Sequence, residues 1–570
     1  MKIGLFVRLF VLIVFTLIFK ATIAQQFVKS KKPDPKFAKF CMHFGNYYDA
    51  LKEYERLLRD DPNNVLYRYN SGICHLNLNK DKSKAIPFFI WVSKQDKYDD
   101  QLWYYLGSAY LATGDYDGAI TAFMKYQSKV EDDDMPIPAS RMIEMCQNAK
   151  KAIAHPISVK ITNLGKHINT VYPEFSPYVP ANETMLIFNA QRKSGYRKED
   201  GYYQSDLYLS YFKFGRYRRT KRFSSVINSS NTEKVVGLTS NAATMFVYTK
   251  EEFSRKENLM ITHKRGKAYR PMEQLVIAGF EKVVKTSAII SPSGKYIFFS
   301  AKTNEGMGGQ DIYSSRRLPD GSWASPKLLD SNVNTIYNEV NPYFAPDGKT
   351  FYFASQGHNS MGGYDLFYCT FNEDSGSFSP ATNVGYPVNT SIDDMTISLS
   401  KSMRYGYIAS LREGGFGDLD LYRVVFKDKK PLYTVVYGGV FNQDSVRMTK
   451  VIEDVNLHID SLNIPINRAY KHLLLDVKDT VAAMDTLATK VPYEKIAVKI
   501  EVIDKETNQS FGHYIVKEST ANYNVILPPG EFKIIFRRKG YQDYVMDNIL
   551  IKERDKRNRF IEKHVLLMKQ

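Results

Sequence analysis

The chain has 570 residues, too many for one hydrophobic core and enough for roughly three to five domains. Apolar residues make up 44% and charged residues 24%, so it can bury sizeable cores and is not a disordered segment. The net charge is +17, yet neither a Walker loop nor a zinc-ligand spacing occurs, which removes the two simplest motif-based assignments.

Lys2 and Arg8 come before an apolar run from Leu9 to Phe19, then Lys20 and Ala21-Thr22-Ile23-Ala24. This is the charge, apolar core and small-residue exit of a signal peptide over residues 1–24. The eleven-residue run falls short of the ~20 residues that span a bilayer. No cysteine stands at the cut, the nearest being Cys41, so a lipid anchor on the new N-terminus is not expected. Loss of the segment takes away Lys2, Arg8 and Lys20 and no acid, lowering the charge from +17 to +14. Cys41, Cys74, Cys146 and Cys369 allow at most two disulfides. Buried free thiols are expected, with a Cys41–Cys74 bridge as the alternative.

Within a helical domain expected over residues 25–154, residues 35–134 repeat with a period near 34. Ala50, Ala85 and Ala119 recur, followed four residues later by Tyr54, Phe89 and Phe123, and Trp103-x-x-Leu106-Gly107-x-x-Tyr110 opens the last unit. A small residue lets the two helices of a hairpin approach, and the aromatic fills the groove against the next repeat. Gly45-Asn46 and Gly114-Asp115 mark turns, and a capping helix is expected over about 138–153. These spacings resemble the tetratricopeptide (TPR) family. The resemblance implies a helical solenoid that binds peptides or partner proteins in a concave groove, with a purely structural spacer as the plainer alternative.

From 155 to 428 the period becomes about 54 and the text alternates, rich in aromatics. Pro292-Ser293-Gly294-Lys295 and Pro346-Asp347-Gly348-Lys349 are tight turns between strands. A strand-opening element recurs as Asp206-Leu207-Tyr208, Asn258-Leu259-Met260, Asp311-Ile312-Tyr313, Asp365-Leu366-Phe367 and Asp420-Leu421-Tyr422. Five sheets of about four strands predict a β-propeller of five blades, with room for a sixth, degenerate one. Residues 157–161 are expected to add the outer strand of the last blade. The repeat resembles the PD40, or WD40-like, family of periplasmic propellers.

Asn169-Thr170, Asn334-Thr335 and Asn389-Thr390 each precede an acid by the same offset, giving Glu174, Glu339 and Asp394. Two readings follow. The acids line the central funnel and bind a cation or basic peptide, or they tie down inter-blade backbone amides. Catalysis is not expected. Gly357-His358-Asn359-Ser360-Met361-Gly362 misses the Gly-x-Ser-x-Gly elbow because position 358 is His, and Ser360 aligns with Gly306 of the sister unit, as a turn residue would. The ten histidines are scattered. No catalytic, cofactor-binding or metal-binding residue is assigned, and no cofactor is expected.

Residues 429–570 read as strands at 437–441, 497–504 and 522–536, with 442–493 unplaced. Leu527-Pro528-Pro529-Gly530, an alternating strand and Gly540-Tyr541 resemble the carboxypeptidase regulatory-like domain, a small β-sandwich. The fold class is therefore multidomain: α solenoid, all-β propeller, small sandwich. The module order resembles the OmpA-family, PorE-type proteins of type IX secretion and gliding in Bacteroidota. Unlike those relatives, the chain stops at Gln570 with no peptidoglycan-binding OmpA-like domain. The resemblance implies a non-enzymatic periplasmic scaffold, held near the outer membrane by partners, that assembles envelope proteins and meets no nucleic acid. The alternative is a periplasmic receptor whose funnel captures a glycan, peptide or cation.

Overall fold

The computed structural model describes residues 32–131, 133–193, 197–213, 216–251, 254–266, 268–429, 433–442, 498–516, 521–551 and 560–570. The expected signal peptide and residues 443–493 of the unplaced stretch lie outside them. The chain divides into two compact units, one ending at Lys429 and the other beginning at Lys430.

Among its described residues the first unit has seven α-helices ahead of its sheets: α1 (Pro35–His43), α2 (Tyr47–Asp60), α3 (Val65–Asn77), α4 (Ala85–Val92), α5 (Leu102–Thr113), α6 (Tyr116–Gln127) and α7 (Ala139–Ala154). The chain marks the ends locally. Gly114 leaves α5 at φ +84, a conformation that favours glycine. Asp115 then caps α6 by accepting from the Gly118 amide at 3.0 Å. Asn46 and Asn64 cap α2 and α3 in the same way. The repeated alanines and aromatics Ala50, Tyr54, Ala85, Phe89, Ala119 and Phe123 are all buried. Phe89 does more than expected. Its ring lies under Gly72 of its own hairpin, where an added Cβ would be 2.7 Å away, and it also stacks on Tyr105 of the next hairpin at 6.3 Å. Phe123 sits under Gly107 at 2.8 Å in the following unit. Helix approach is thus set by glycine on the first helix of a pair as well as by alanine on the second. All four cysteines are free and buried, and burial pushes the Cys41 and Cys146 thiols up to about 12.

Five antiparallel sheets follow among the described residues. Sheet one starts with Glu174–Tyr178, Met185–Ala190 and Asp206–Lys213; sheet two with Thr232–Leu238, Thr244–Lys250 and Glu257–Arg265. Sheet three comprises Lys285–Ile290, Tyr296–Ala301, Asp311–Arg316 and Lys327–Leu328; sheet four starts with Glu339–Phe344, Thr350–Ser355 and Asp365–Asn372. Sheet five, Ile397–Leu399, Tyr405–Ser410 and Asp420–Phe426, takes its outer strand from Val159–Asn163, which lies ahead of sheet one in the chain. The first strands of sheets one to four each carry a register shift, at Phe175/Tyr178, Val235/Gly237, Lys285/Ser287 and Val340/Tyr343. Such bulges bend a strand and increase its twist, so the β-rich domain is a succession of curled sheets that resembles a propeller. Neighbouring sheets are joined by buried polar ties. Asn189 exchanges two bonds with Val235, and the Val179 amide donates to Ser398 Oγ. The abundance of phenylalanine has a local cause: Phe298 meets Phe344, Phe351, Phe371 and Phe378 at 5.2–5.6 Å between sheets three and four.

Among its described residues the second unit contains two four-stranded sheets. One is built on Thr434–Asn442, Asn522–Leu527, Phe560–Glu562 and Val565–Leu567; the other on Lys499–Asp504, Gln509–Ile515, Gly530–Arg537 and Tyr544–Ile551. Val436, Val525 and Leu567 of the first share one core with Ile500, Ile534 and Phe536 of the second.

The Gly107–Phe123 contact predicts an unusual sign. Gly to Ala in an exposed helix stabilises by about 1 kcal/mol, but Gly107→Ala is expected to destabilise by about 1–3 kcal/mol through overpacking. Thermal unfolding of the variant against the parent measures it.

Candidate functional site

Three constellations were candidates: the helical stack, the repeated acids and the Ser360 turn. The structure joins the first and third. Arg141, on the inward face of α7, is 3% exposed. Its Nη2 donates to the carbonyls of Gln356 (2.9 Å) and His358 (3.0 Å) and to Ser360 Oγ (2.9 Å). Nη1 pairs with Glu144 at 2.7 Å, and the guanidinium lies 5.0 Å from the centre of the Tyr337 ring. Asn148 adds a bond to the Ser360 carbonyl at 3.1 Å. A buried guanidinium is tolerable only when its donors are met, and here backbone oxygens of a sheet-four turn meet them.

The same face takes further contacts along the stack. Asn79 donates to Asp418 (2.9 Å), Tyr116 OH bonds Ser391 Oγ (2.8 Å), and Asp49 pairs with Arg197 (2.8 Å). Residues 197, 356–360 and 418 lie between the second and third strands of their sheets, and Ser391 lies in the connection between sheets four and five. These segments share one end of the sheets, so the helices are seated on that end. Ser360 is thus a turn residue with its hydroxyl engaged by Arg141. An arginine in the middle of a helix carried no sequence signal of this role.

The acids form the second constellation. Glu174, Glu339 and Asp394 are buried, and each folds back onto the threonine four residues earlier. Glu174 accepts from the Thr170 amide and hydroxyl at 2.9 and 2.6 Å, Glu339 from those of Thr335 at 2.9 and 2.7 Å, and Asp394 from those of Thr390 at 2.7 and 2.8 Å. Arg192 adds an ion pair to Glu174 at 2.9 Å, and Ser355 Oγ a bond to Glu339 at 2.6 Å. Among the described residues no cluster of metal-ligating side chains occurs. The acids thus bond within their own connections and sheets, and the ties to the backbone of the preceding sheet fall to the neighbouring asparagines.

The neighbouring asparagines complete the device. Asn169 accepts from the Leu421 amide and donates to its carbonyl; Asn228 does the same with Leu207, Asn334 with Ile312 and Asn389 with Leu366. Each leucine or isoleucine is the middle residue of the Asp-Leu-Tyr element in the sheet just left. The sequence pattern missed one copy, because sheet two uses Ser229 and Glu233 in place of Thr and its acid. In the connection to sheet three the pattern is absent: Phe280 occupies the asparagine position and Lys285 the acid position. The buried Lys285 ammonium instead donates to the Phe280 and Val283 carbonyls at 2.6 and 2.8 Å.

Burial pushes Glu233 and Asp394 up to about 7, and raises Glu174 and Glu339 above the usual carboxylate range. Asp365, bonded by the Met361 amide and Asn383, is raised well above it by the same cause.

Residues 43–90 and 81–134 match the tetratricopeptide repeat family. No curated protein matches the chain in sequence. Similar solved structures include a glycoside hydrolase (8% identity, TM-score 0.33, covering 49% of this chain and 94% of that one). A glycosyl hydrolase from Bacteroides ovatus (11%, 0.27, 47% and 91%) and an α-L-arabinofuranosidase from Lactobacillus brevis (12%, 0.28, 46% and 94%) are also similar. At these values the likeness assigns no reaction. The expectation that the chain is not an enzyme is corrected to this extent: these three neighbours are named as hydrolases, and no reaction of this chain follows from them. The physical reason is that a search for local nucleophile motifs tests only residues adjacent in sequence, whereas successive sheets bring distant residues together.

Two outcomes are expected. The folded state holds protons on Glu233 and Asp394 that the unfolded chain releases near 4.5 and 3.8. Stability should therefore fall as pH rises from about 4 to 7 and level off above that. Asp394→Asn should flatten part of this slope in melting temperature measured against pH. Asn389→Ala, which leaves the buried Leu366 amide and carbonyl without their partner, should cost about 2–3 kcal/mol in denaturant unfolding.

Proposed function

We propose that the chain is an exported scaffold of the cell envelope that assembles partner proteins, its TPR stack holding a segment of one partner. The observation that carries this reading is the seat of the stack. A protein-binding solenoid fixed by a buried arginine and several polar ties presents its remaining surface in a defined orientation, which suits an adaptor better than a tethered, swinging module would.

The finer parts of the proposal are these. Residues 1–24 are a signal peptide, and residues 155–428 form a five-bladed PD40 propeller sealed by the Val159–Asn163 strand. Residues 429–570 carry a carboxypeptidase regulatory-like sandwich. The protein works in the periplasm beside the outer membrane, in type IX secretion or gliding. The module order supports the last assignment, and the charge of +14 left after residues 1–24 suits anionic partners or envelope surface. Free, buried thiols are compatible with export, since no disulfide is needed for the fold. Among the described residues no helix is long and apolar enough to cross a membrane.

Affinity purification of the tagged full chain from detergent-solubilised envelopes tests the proposal. Co-purification of secretion or gliding components at stoichiometric levels is expected. Recovery of none of them, or accumulation of the chain in the cytoplasm on fractionation, would contradict it.

A further inference from the structure

The connection from sheet two to sheet three is the one that lacks the asparagine clamp and the hydroxyl–acid pair, and it borders a cleft of about 970 Å³. That volume lies near the top of the range for ligand pockets, about 300–1,000 Å³. Its apolar floor includes Leu275, Ile289 and Phe344. The rim carries the amides of Asn241 and Gln274 and a row of serines between 291 and 325. Trp323, partly exposed, stands at the wall, with the Arg317 guanidinium 5.8 Å from its ring centre. Arg317 donates from Nε to the Gly321 carbonyl at 3.4 Å, and among the described residues no carboxylate pairs with it. His263 on the same wall is held by Thr244 Oγ1 at 3.1 Å.

Each feature has a recognition consequence. An indole face beside neutral hydroxyls and amides suits a ring that is apolar on one face and polyhydroxylated at its edge. An exposed guanidinium without a carboxylate partner offers paired donors to a carboxylate or to vicinal hydroxyls. The turns that frame the cleft, 239–244, 291–294 and 317–323, join first to second or third to fourth strands. They therefore lie at the end of the sheets away from the helices, while residues between 275 and 281 of the connection also line the cleft; none of the lining residues is among those that hold the helices. Repetition elsewhere serves architecture, and the cleft sits where repetition is broken.

We propose that this cleft is a saccharide-binding site in which a pyranose ring stacks on Trp323 and its carboxylate or vicinal hydroxyls are held by Arg317. The site does not rest on the scaffold reading and is distinct from the buried acids.

Calorimetric titration of the full chain with tetragalacturonate, cellotetraose and, as a peptide probe, tetra-alanine tests it, at concentrations up to about 10 mM. Binding of at least one saccharide is expected. Trp323→Ala should weaken it about tenfold, and Trp323→Phe, which keeps an aromatic face, by only about threefold. Arg317→Ala should weaken tetragalacturonate more than cellotetraose if the carboxylate is the group held, and both equally if the hydroxyls are. Thermal melts establish that the variants are folded; if Trp323→Ala is not, Arg317→Ala and Trp323→Phe decide. Failure of both saccharides to bind, binding unchanged in the folded Trp323 and Arg317 variants, or binding of tetra-alanine alone would overturn the proposal.

Discussion

A buried asparagine that satisfies both backbone groups of one residue in the sheet just left is the interaction on which the β-rich domain depends. Asn169, Asn228, Asn334 and Asn389 each imitate a missing strand partner for Leu421, Leu207, Ile312 and Leu366. A connecting segment has no sheet of its own, yet its backbone must be satisfied once it is buried. The clamp fixes where the connection leaves, and the hydroxyl–acid pair that follows fixes where the next sheet starts. The carboxyls pay for this in desolvation, visible as their raised affinity for protons.

Fixing these connections also fixes the turns beside them. The seat of the helices is made of such turns and one connection, so Arg141 meets oxygens already placed by the sheets. One connection is held differently. Where Phe280 and Lys285 replace the clamp, the connection is held by a lysine bonded to two carbonyls, and Phe280 packs against Phe299 and Tyr313 instead. The same connection borders the cleft through Leu275, Val276, Ala278 and Glu281. One domain thus offers two surfaces of different chemistry, one occupied by the helices and one open.

Repetition made much of this legible in the sequence. Alanine and aromatic spacing marked the helical hairpins, because packing at a fixed helix separation demands the same sizes each time. The Asp-Leu-Tyr elements and the Asn-Thr-acid pattern marked the sheets, because the same backbone groups need the same partners. What was hidden is what occurs once. Arg141 reads as an ordinary helix-surface charge, Glu233 has Ser229 rather than threonine four residues before it and so escaped the pattern, and Lys285 reverses the charge of its position. Where the acids point was not legible either, since their role is decided by hydroxyls folded back from four residues earlier. The expectation of no catalysis had a related weakness: absence of a local motif says little about residues assembled from separate sheets.

The central claim is that the helical stack and the β-rich domain are locked into one body by Arg141. Differential scanning calorimetry of the parent and of Arg141→Ala tests it most directly. The parent is expected to unfold its helices and its five sheets in a single transition. The variant is expected to melt the helices separately and at lower temperature, having lost a buried charge and left the Gln356 and His358 carbonyls without their donor. An unchanged melting profile in the variant would contradict the account.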